Sequence, residues 1–545
     1  MKNIILVALS SVFFVACSAT YTEEALRGDF QMEDFRNAYS QSAERTDSLY
    51  EVFSDSELKS LIHTALSQNS DIFIYETRIK SAESQVRLAI SKQIPSIDAS
   101  ASYNYNGDST INTSLMASWE LDIFGKYASA TDAQYENLST AKSNLKFFQI
   151  SLISDIALAY FNLKYMQNNI IVTKERIVNY REMLNIMDSM YKGGLVSFSD
   201  FLERKMDLQS EEQSLNTLLN EYEAQKNEIR VLINNRNYGF NDESVLAKVD
   251  DNALQEGFYG GHFDNLPSAE VPNFNVNLSS SANIILRRPD ISAQIASLNA
   301  AVHNLNSAKA QMYPTLNLSG SLGKAFLQPA EFVYSIVASL AMPLFSRFEI
   351  YENVKISDYT RLEAYYTLQK GVNTAFSEIE NAIYSLETNK ANLKTSFEIL
   401  SQNKEVLELL SQSFKLGLID SAEYLLAINN HLAMVKSSNT SHFNTISAII
   451  YLYRSIGGND SDIKIADLGE SNADSNESAV DSSANPSDSS ESSGESNTLS
   501  SLRGFEKAEA IHESTNRLPR FGKAESRNDG NDEVKSNSTK GQNNE

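Results

Sequence analysis

The sequence predicts an α+β membrane protein built from one unit used twice: a helix, a β-hairpin, then a long helical hairpin. Three observations predict it. An apolar row at every seventh residue, Ile156, Leu163, Ile170, Ile177, Leu184 and Tyr191, runs up to a glycine turn at Gly193-Gly194. A second row, Ile379, Leu386, Leu393, Leu400, Leu407 and Phe414, runs up to Gly417, each member 223 positions after its counterpart. A seven-residue repeat describes a helix whose seam winds on another helix, and glycine, tolerant of positive φ, ends it. Third, both long helices follow segments in which apolar and polar residues alternate with period two.

The totals narrow the class. A net charge of −24 argues against nucleic acid, whose phosphates would be repelled, although part of that charge lies in a polar C-terminal stretch. A single cysteine rules out an internal disulfide. No internal stretch approaches the roughly 18 consecutive apolar residues of a spanning helix, so a bilayer must be crossed by strands.

Residues 1–16 read as a secretory signal: Lys2, then apolar runs Ile4 to Ala8 and Val12 to Ala16. Phe14-Val15-Ala16-Cys17 resembles a bacterial lipobox, which implies acylation of Cys17 as the new N-terminus; the alternative is an incidental cysteine. Ser18, in place of an Asp, suits an outer-membrane destination. Residues 17–54 read as a polar, irregular arm carrying the lipid.

The first repeat spans 55–235. Asp55 caps a helix with Leu58, Leu61, Ile62, Ala65 and Leu66 on one face; it breaks near Asn69-Ser70-Asp71, resumes to about Ile94, and stops at Pro95. A hairpin over 96–124 follows. Ile97, Ala99, Ala101, Tyr103 and Tyr105 alternate with polar residues, Asn106-Gly107-Asp108 turns, and Ile111 to Ile123 alternate again. Strands of about ten residues suffice to cross a bilayer at a tilt; a hairpin packed on a soluble core is the plainer alternative. A long helix, or two nearly collinear ones, covers about 127–191, with a tip near 191–198 and a partner over 198–234. Residues 236–280, with Gly257, Gly260, Gly261, Pro267 and Pro272, read as an equatorial connector. The second repeat, 281–456, opens with Leu286-Arg287-Arg288-Pro289-Asp290-Ile291, Pro289 fitting a first helical turn and Asp290 its dipole. A hairpin over 315–345 and a tip near 414–421 follow. Residues 457–545 turn to Ser, Asn, Asp and Glu and are too poor in apolar residues to fold alone.

Two hairpins make four strands, too few to seal a barrel in lipid; if these strands span lipid, several copies must share one barrel. The six histidines show no metal-ligand spacing; His442, in the row Ile428, Val435, His442, Ile449, Ile456, reads as a satisfied core histidine. Gly257-Phe258-Tyr259-Gly260-Gly261 lacks the strand-to-helix context of a nucleotide loop. Trp119, Tyr103, Tyr105 and Tyr334 suit an aromatic girdle or ordinary strand composition. No convergent acid, base or nucleophile points to an enzyme, and no cofactor is implied.

Leu286-Arg287-Arg288-Pro289-Asp290-Ile291, Tyr313-Pro314, Leu318-Ser319-Gly320-Ser321-Leu322-Gly323, Ala117-Ser118-Trp119-Glu120-Leu121-Asp122-Ile123-Phe124-Gly125 and the two glycine turns, in this order, resemble the outer-membrane factor family of TolC-like efflux channels. The similarity covers about 17–457 and is greater to the lipoprotein branch resembling OprM. It implies a homotrimer, a twelve-stranded barrel continued by a periplasmic α-helical barrel. It also implies export without chemistry in the channel, partnered by a periplasmic adaptor and an inner-membrane pump of RND type. By motif match, Asp200, Asp420 and Glu423 fall at the aperture, where a threefold ring of carboxylates would hold cations or raise its pKa values. Asp200 and Glu423 could equally complement a helix dipole. Leu426 stands where a second acid of the TolC pattern is expected. Gly194, Leu195, Gly417 and Leu418 are the adaptor-contact positions, or simply close the bend. A protein-secretion or metal-ion exit duct shares the fold; a periplasmic coiled-coil adaptor or spacer is the reading of another class.

Overall fold

The structure, a computed structural model, describes residues 47–105, 109–242, 272–274, 281–326, 332–459 and 461–463. Cys17, the signal segment, the turn 106–108, the Gly257–Gly261 motif, His262, His512 and residues 464–545 lie outside the described residues. In chain order come α1 (Leu49–Phe53), α2 (Ser56–Gln68), α3 (Ser70–Ser91), β1 (Ser96–Tyr105), β2 (Ser109–Leu121), α4 (Lys126–Lys192) and α5 (Phe198–Leu232). Then follow α6 (Ser281–Arg287), α7 (Pro289–Ala310), β3 (Thr315–Phe326), β4 (Phe332–Ala341), α8 (Arg347–Lys415) and α9 (Ser421–Ser455). The long element of the first repeat is a single helix of 67 residues, that of the second one of 69; at 1.5 Å per residue each runs about 100 Å.

Local chemistry sets the ends. Asp55 caps α2 by accepting the Glu57 and Leu58 N–H groups, and Leu58, Leu61, Ile62, Ala65 and Leu66 are all buried. Asn69 both closes α2 and caps α3 through its Oδ1, so the break there is a change of direction between two capped helices. Pro289 takes the first position of α7, where a missing N–H costs nothing. Leu286 and Arg287, expected to open that helix, instead end the short α6.

The ends of the folded region differ from the sequence expectation. The arm before residue 55 is not wholly irregular: a Ser48–Glu51 capping box starts α1, and Leu49 is buried. Beyond Gly457 the described residues 458–459 and 461–463 still pack on the helical part. Asp462 is fully buried and accepts hydrogen bonds from the Leu49 N–H (3.2 Å) and the Tyr453 hydroxyl (2.8 Å). One acidic residue in a polar stretch carries no sequence signal of burial.

Helix α4 is the axis of the helical part. Toward the strands it packs on α3 and α7; toward the tips it packs on α5 and α9, with α8 flanking α7 and α9. The heptad rows bury as expected through Ile156, Leu163, Ile170 and Ile177, and through Ile379, Leu386, Leu393 and Leu400. They then drift. Leu184, Leu407 and Phe414 are half-buried and Tyr191 is exposed, while Met183 and Met187 fill the seam. An α-helix of 3.6 residues per turn gains about 20° on a seven-residue row each heptad, so a neighbouring row takes over.

The four strands form one antiparallel sheet in the order β1-β2-β3-β4. The β2–β3 pairing, which joins the two repeats, is in phase: Ala117 faces Gly320 and Leu115 faces Leu322. One face therefore gathers Ile97, Ala99, Leu115, Ala117, Leu318, Leu322, Tyr334, Ile336 and Leu340; the other is mainly polar, with Ser96, Ser100, Ser114, Ser118, Ser321 and Ser335 set among Met116, Val333 and Val337. A slip of one residue between the repeats would have mixed the faces. Trp119 sits at the helix end of the sheet, its indole N–H donating to the Gln93 carbonyl (2.9 Å), whereas Tyr103, Tyr105 and Tyr334 lie toward the other end. The four do not form one girdle.

Candidate functional site: the hairpin tips and the polar sheet face

The two tips share one geometry. Gly194 (φ 74°) and Gly417 (φ 71°) adopt the left-handed conformation one residue past the helix cap. The Leu195 N–H reaches the Met190 carbonyl and the Gly194 N–H that of Tyr191; Leu418 and Gly417 repeat this on Ser413 and Phe414, every bond 2.9 Å. This is the Schellman closure, which caps carbonyls that would otherwise face solvent. A Cβ on either glycine would meet nothing within 4 Å, so conformation, not space, requires glycine there. With the backbone closed on itself, Leu195, Leu416 and Leu418 project at 72–75 % exposure.

Beyond each turn the next helix is capped by side chains. Ser197 and Asp200 form a capping box: the serine Oγ accepts the Asp200 N–H, and the Asp200 carboxylate accepts the Ser197 N–H, each at 3.2 Å. In the second repeat Asp420 is itself the cap, accepting the Glu423 N–H at 2.8 Å. The three candidate carboxylates thus separate: Asp200 and Asp420 hold backbone N–H groups, while the exposed Glu423 carboxylate makes no hydrogen bond among the described residues. Stacked rings brace both bends, Tyr191 with Phe201 (6.1 Å between centroids) and Phe414 with Tyr424 (5.0 Å). Leu426, the departure from the expected acid, is 36 % exposed. Behind the tips a separate apolar cluster joins α4, α8 and α9 through Met183, Met187, Leu400, Leu425, Ile428 and Leu432.

The polar sheet face is stitched by serine pairs across strands: Ser96 with Ser118 (2.9 Å), Ser100 with Ser114 (2.8 Å) and Ser321 with Ser335 (2.8 Å). These six hydroxyls satisfy one another in exposed pairs, as a surface against water allows.

Sequence reasoning missed three arrangements. Among the described residues the buried histidine is His431, 1 % exposed, with Nδ1 2.8 Å from Asn403 Oδ1; His442 is only half-buried, its imidazole held below the usual histidine range by burial. The residues Ile428, His431 and Val435 mark a second line of the same heptad, which would have revealed it. Next, a polar ladder runs between α4 and α9: Tyr165 to Thr440 (3.2 Å), Asn169 to Asn439 (3.5 Å) and Thr173 to Lys436 (3.4 Å). Finally, Arg288 grips Asp290 with two bonds, reaches Glu378, and donates to the Ser455 carbonyl at 2.8 Å. Among the described residues no group of three or more His, Cys, Asp or Glu could hold a metal, and no helix is long and apolar enough to cross a membrane.

A duplicated helical hairpin carrying an amphipathic four-stranded sheet defines a class, the outer-membrane efflux channels. The Outer membrane efflux protein family matches residues 61–235 and 281–458, and the chain belongs to that family. It is 25 % identical over 435 residues to the solvent efflux pump outer membrane protein SrpC of Pseudomonas putida, covering 75 % of this chain and 86 % of that one. To the cation efflux system protein CusC of Escherichia coli (strain K12) it is 20 % identical over 420 residues, 74 % and 87 % of the two chains. Among solved structures, the outer-membrane channel OprN superposes with a TM-score of 0.65 at 20 % identity, over 78 % of this chain and 96 % of that one. The open state of the Neisseria gonorrhoeae MtrE channel gives 0.60 at 20 % identity, over 78 % and 97 %. At such identities the structures speak for the fold.

Proposed function

We propose that this chain is the outer-membrane duct of a tripartite efflux system, conducting substrates passively from an inner-membrane pump and a periplasmic adaptor to the exterior. The observation that carries the reading is the in-phase register of β2 and β3, which gives one apolar and one serine-lined face on a sheet whose two edge strands are β1 and β4. An open edge in lipid leaves backbone groups unpaired. Three copies joined β4 to β1 form a twelve-stranded barrel with the apolar faces outward, and the helices continue it into the periplasm. Energy enters from the pump, of RND type, and the chain is no enzyme. Cys17 carries the lipid anchor. The tips hold the aperture, where Glu423 is the strongest candidate because its carboxylate has no capping duty; Gly194, Leu195, Gly417 and Leu418 offer the adaptor a closed backbone with projecting leucines.

The names of the relatives, solvent efflux for SrpC and cation efflux for CusC, suit a duct whose wall does little chemical selection; a metal-ion export duct is the second reading. The test is reconstitution into a planar bilayer together with the oligomer mass. The expected result is a trimer with ohmic conductance. A monomer soluble without detergent or an acyl chain overturns the reading. Palmitate labelling of wild type but not of Cys17→Ser is expected for the anchor.

A further inference from the structure

We infer that Asp98 sets the charge preference of the barrel bore, so that it passes cations and uncharged molecules more readily than anions. The inference rests on the duct reading above, in which the serine face lines the bore. Among the described strand residues on that face, only Asp98 and Glu120 are ionisable. Glu120 is compensated: Lys126 Nζ lies 3.0 Å from one carboxylate oxygen, and the Tyr127 hydroxyl donates to the other at 2.9 Å. Asp98 is exposed and makes no ion pair among the described residues. Across the sheet it faces Met116, Ser321 and Ser335, and Ser96 and Ser100 flank it on its own strand. Among the described strand residues the one cation, Lys324, belongs to the apolar face. Threefold symmetry makes a ring of three carboxylates in an otherwise neutral, hydroxyl-lined band, and such rings favour cations.

Screening sets the conditions. The Debye length is about 30 Å at 0.01 M salt and about 3 Å at 1 M, so the preference is expected at low salt and lost at high salt. The experiment measures the K⁺/Cl⁻ permeability ratio of trimers in planar bilayers at about 0.01 M. All variants are made in an Asp200→Asn, Asp420→Asn, Glu423→Gln background, which removes the tip carboxylates. The expected result is a ratio at least about twofold lower for Asp98→Asn and for Asp98→Ser than for the background, and lower again for Asp98→Lys. An unchanged ratio in whichever neutral variant assembles overturns the inference while leaving the duct intact. Failure of the wild-type chain to conduct at all overturns the duct reading and the inference with it.

Discussion

Asn69 and Arg288 occupy equivalent corners of the two repeats, each at the N-cap position of an upper helix, though only Asn69 caps with its side chain, and each reaching back to the last residue of the returning helix. Asn69 donates to the Leu232 carbonyl at 2.9 Å, Arg288 to that of Ser455 at 2.8 Å. The neutral version is a hydrogen bond; the charged version is a buried guanidinium tied to Asp290 and Glu378. Arg288→Met is therefore expected to lower the thermal stability of the detergent-solubilised protein by about 3 kcal/mol, since it strands a partly buried carboxylate. Asn69→Ala should cost about 1 kcal/mol. A ratio near one would show the charge to be incidental. Asp462 supplies the pH-dependent counterpart. Burial pushes its carboxyl above the usual aspartate value of 3.8, an effect the Tyr453 hydrogen bond offsets only in part. A raised folded-state pKa means the native form holds its proton longer, so stability falls as pH rises from about 3.8 through the raised value, by up to about 1.4 kcal/mol per pH unit. In denaturant titrations, Asp462→Asn should flatten that slope; an unaltered slope would assign it to other carboxyls. Neither corner could be read as such from the sequence. The Arg-Pro-Asp motif was visible, but its partner at Ser455 lies 167 residues away and contributes a backbone atom.

Among the elements, the helices, strands and turns were legible because their signals are local: period seven, period two, and glycine after the last apolar turn. The drift of the α4 seam was not, because a seven-residue row holds its face only if the supercoil is tight enough to hold 3.5 residues per turn. Nor was the polar ladder, whose members stand on two helices some 270 positions apart in sequence. Continued at the spacing of Asn169 and Asn439, the same register brings Asn179 opposite Asn429. Both are buried, at 1 % and 2 % exposure, and the side-chain amide atoms of both lack a hydrogen-bond partner. An unsatisfied buried polar group costs about 1–3 kcal/mol, so these two asparagines weaken the contact between the repeats. Replacing both by Leu is expected to stabilise the helical part by about 2 kcal/mol or more, read as a higher urea midpoint with an unchanged slope. If the pair instead lowers the midpoint, the amides are making contacts that only the assembled protein provides. At the tips, Gly194→Ala should cost about 1–2 kcal/mol through backbone strain alone, because no neighbour would touch the new methyl group.

For the whole molecule, the sequence yielded alternation strand by strand but could not phase one hairpin against the other. Each hairpin is fixed by its own turn, whereas the β2–β3 pairing joins residues roughly 200 positions apart, such as Leu115 and Leu322. That single register turns four separately amphipathic strands into one surface with two chemistries. Ile336 and Ser335 test it side by side. They are neighbours in the middle of β4, and Ile336, on the apolar face beside Gly320, is 86 % exposed in the isolated chain. Ser335, on the opposite face, shares a 2.8 Å hydrogen bond with Ser321. If the apolar face meets hydrocarbon, Ile336→Arg places a charge near the bilayer midplane and should destabilise the assembled trimer by about 2–4 kcal/mol. Ser335→Arg, facing water, should lose only the cross-strand pair, below about 1 kcal/mol. Urea titration of the trimer in lipid vesicles reads the difference directly. Equal costs would mean the two faces meet the same medium, and a barrel with a wet bore could not be built from this sheet.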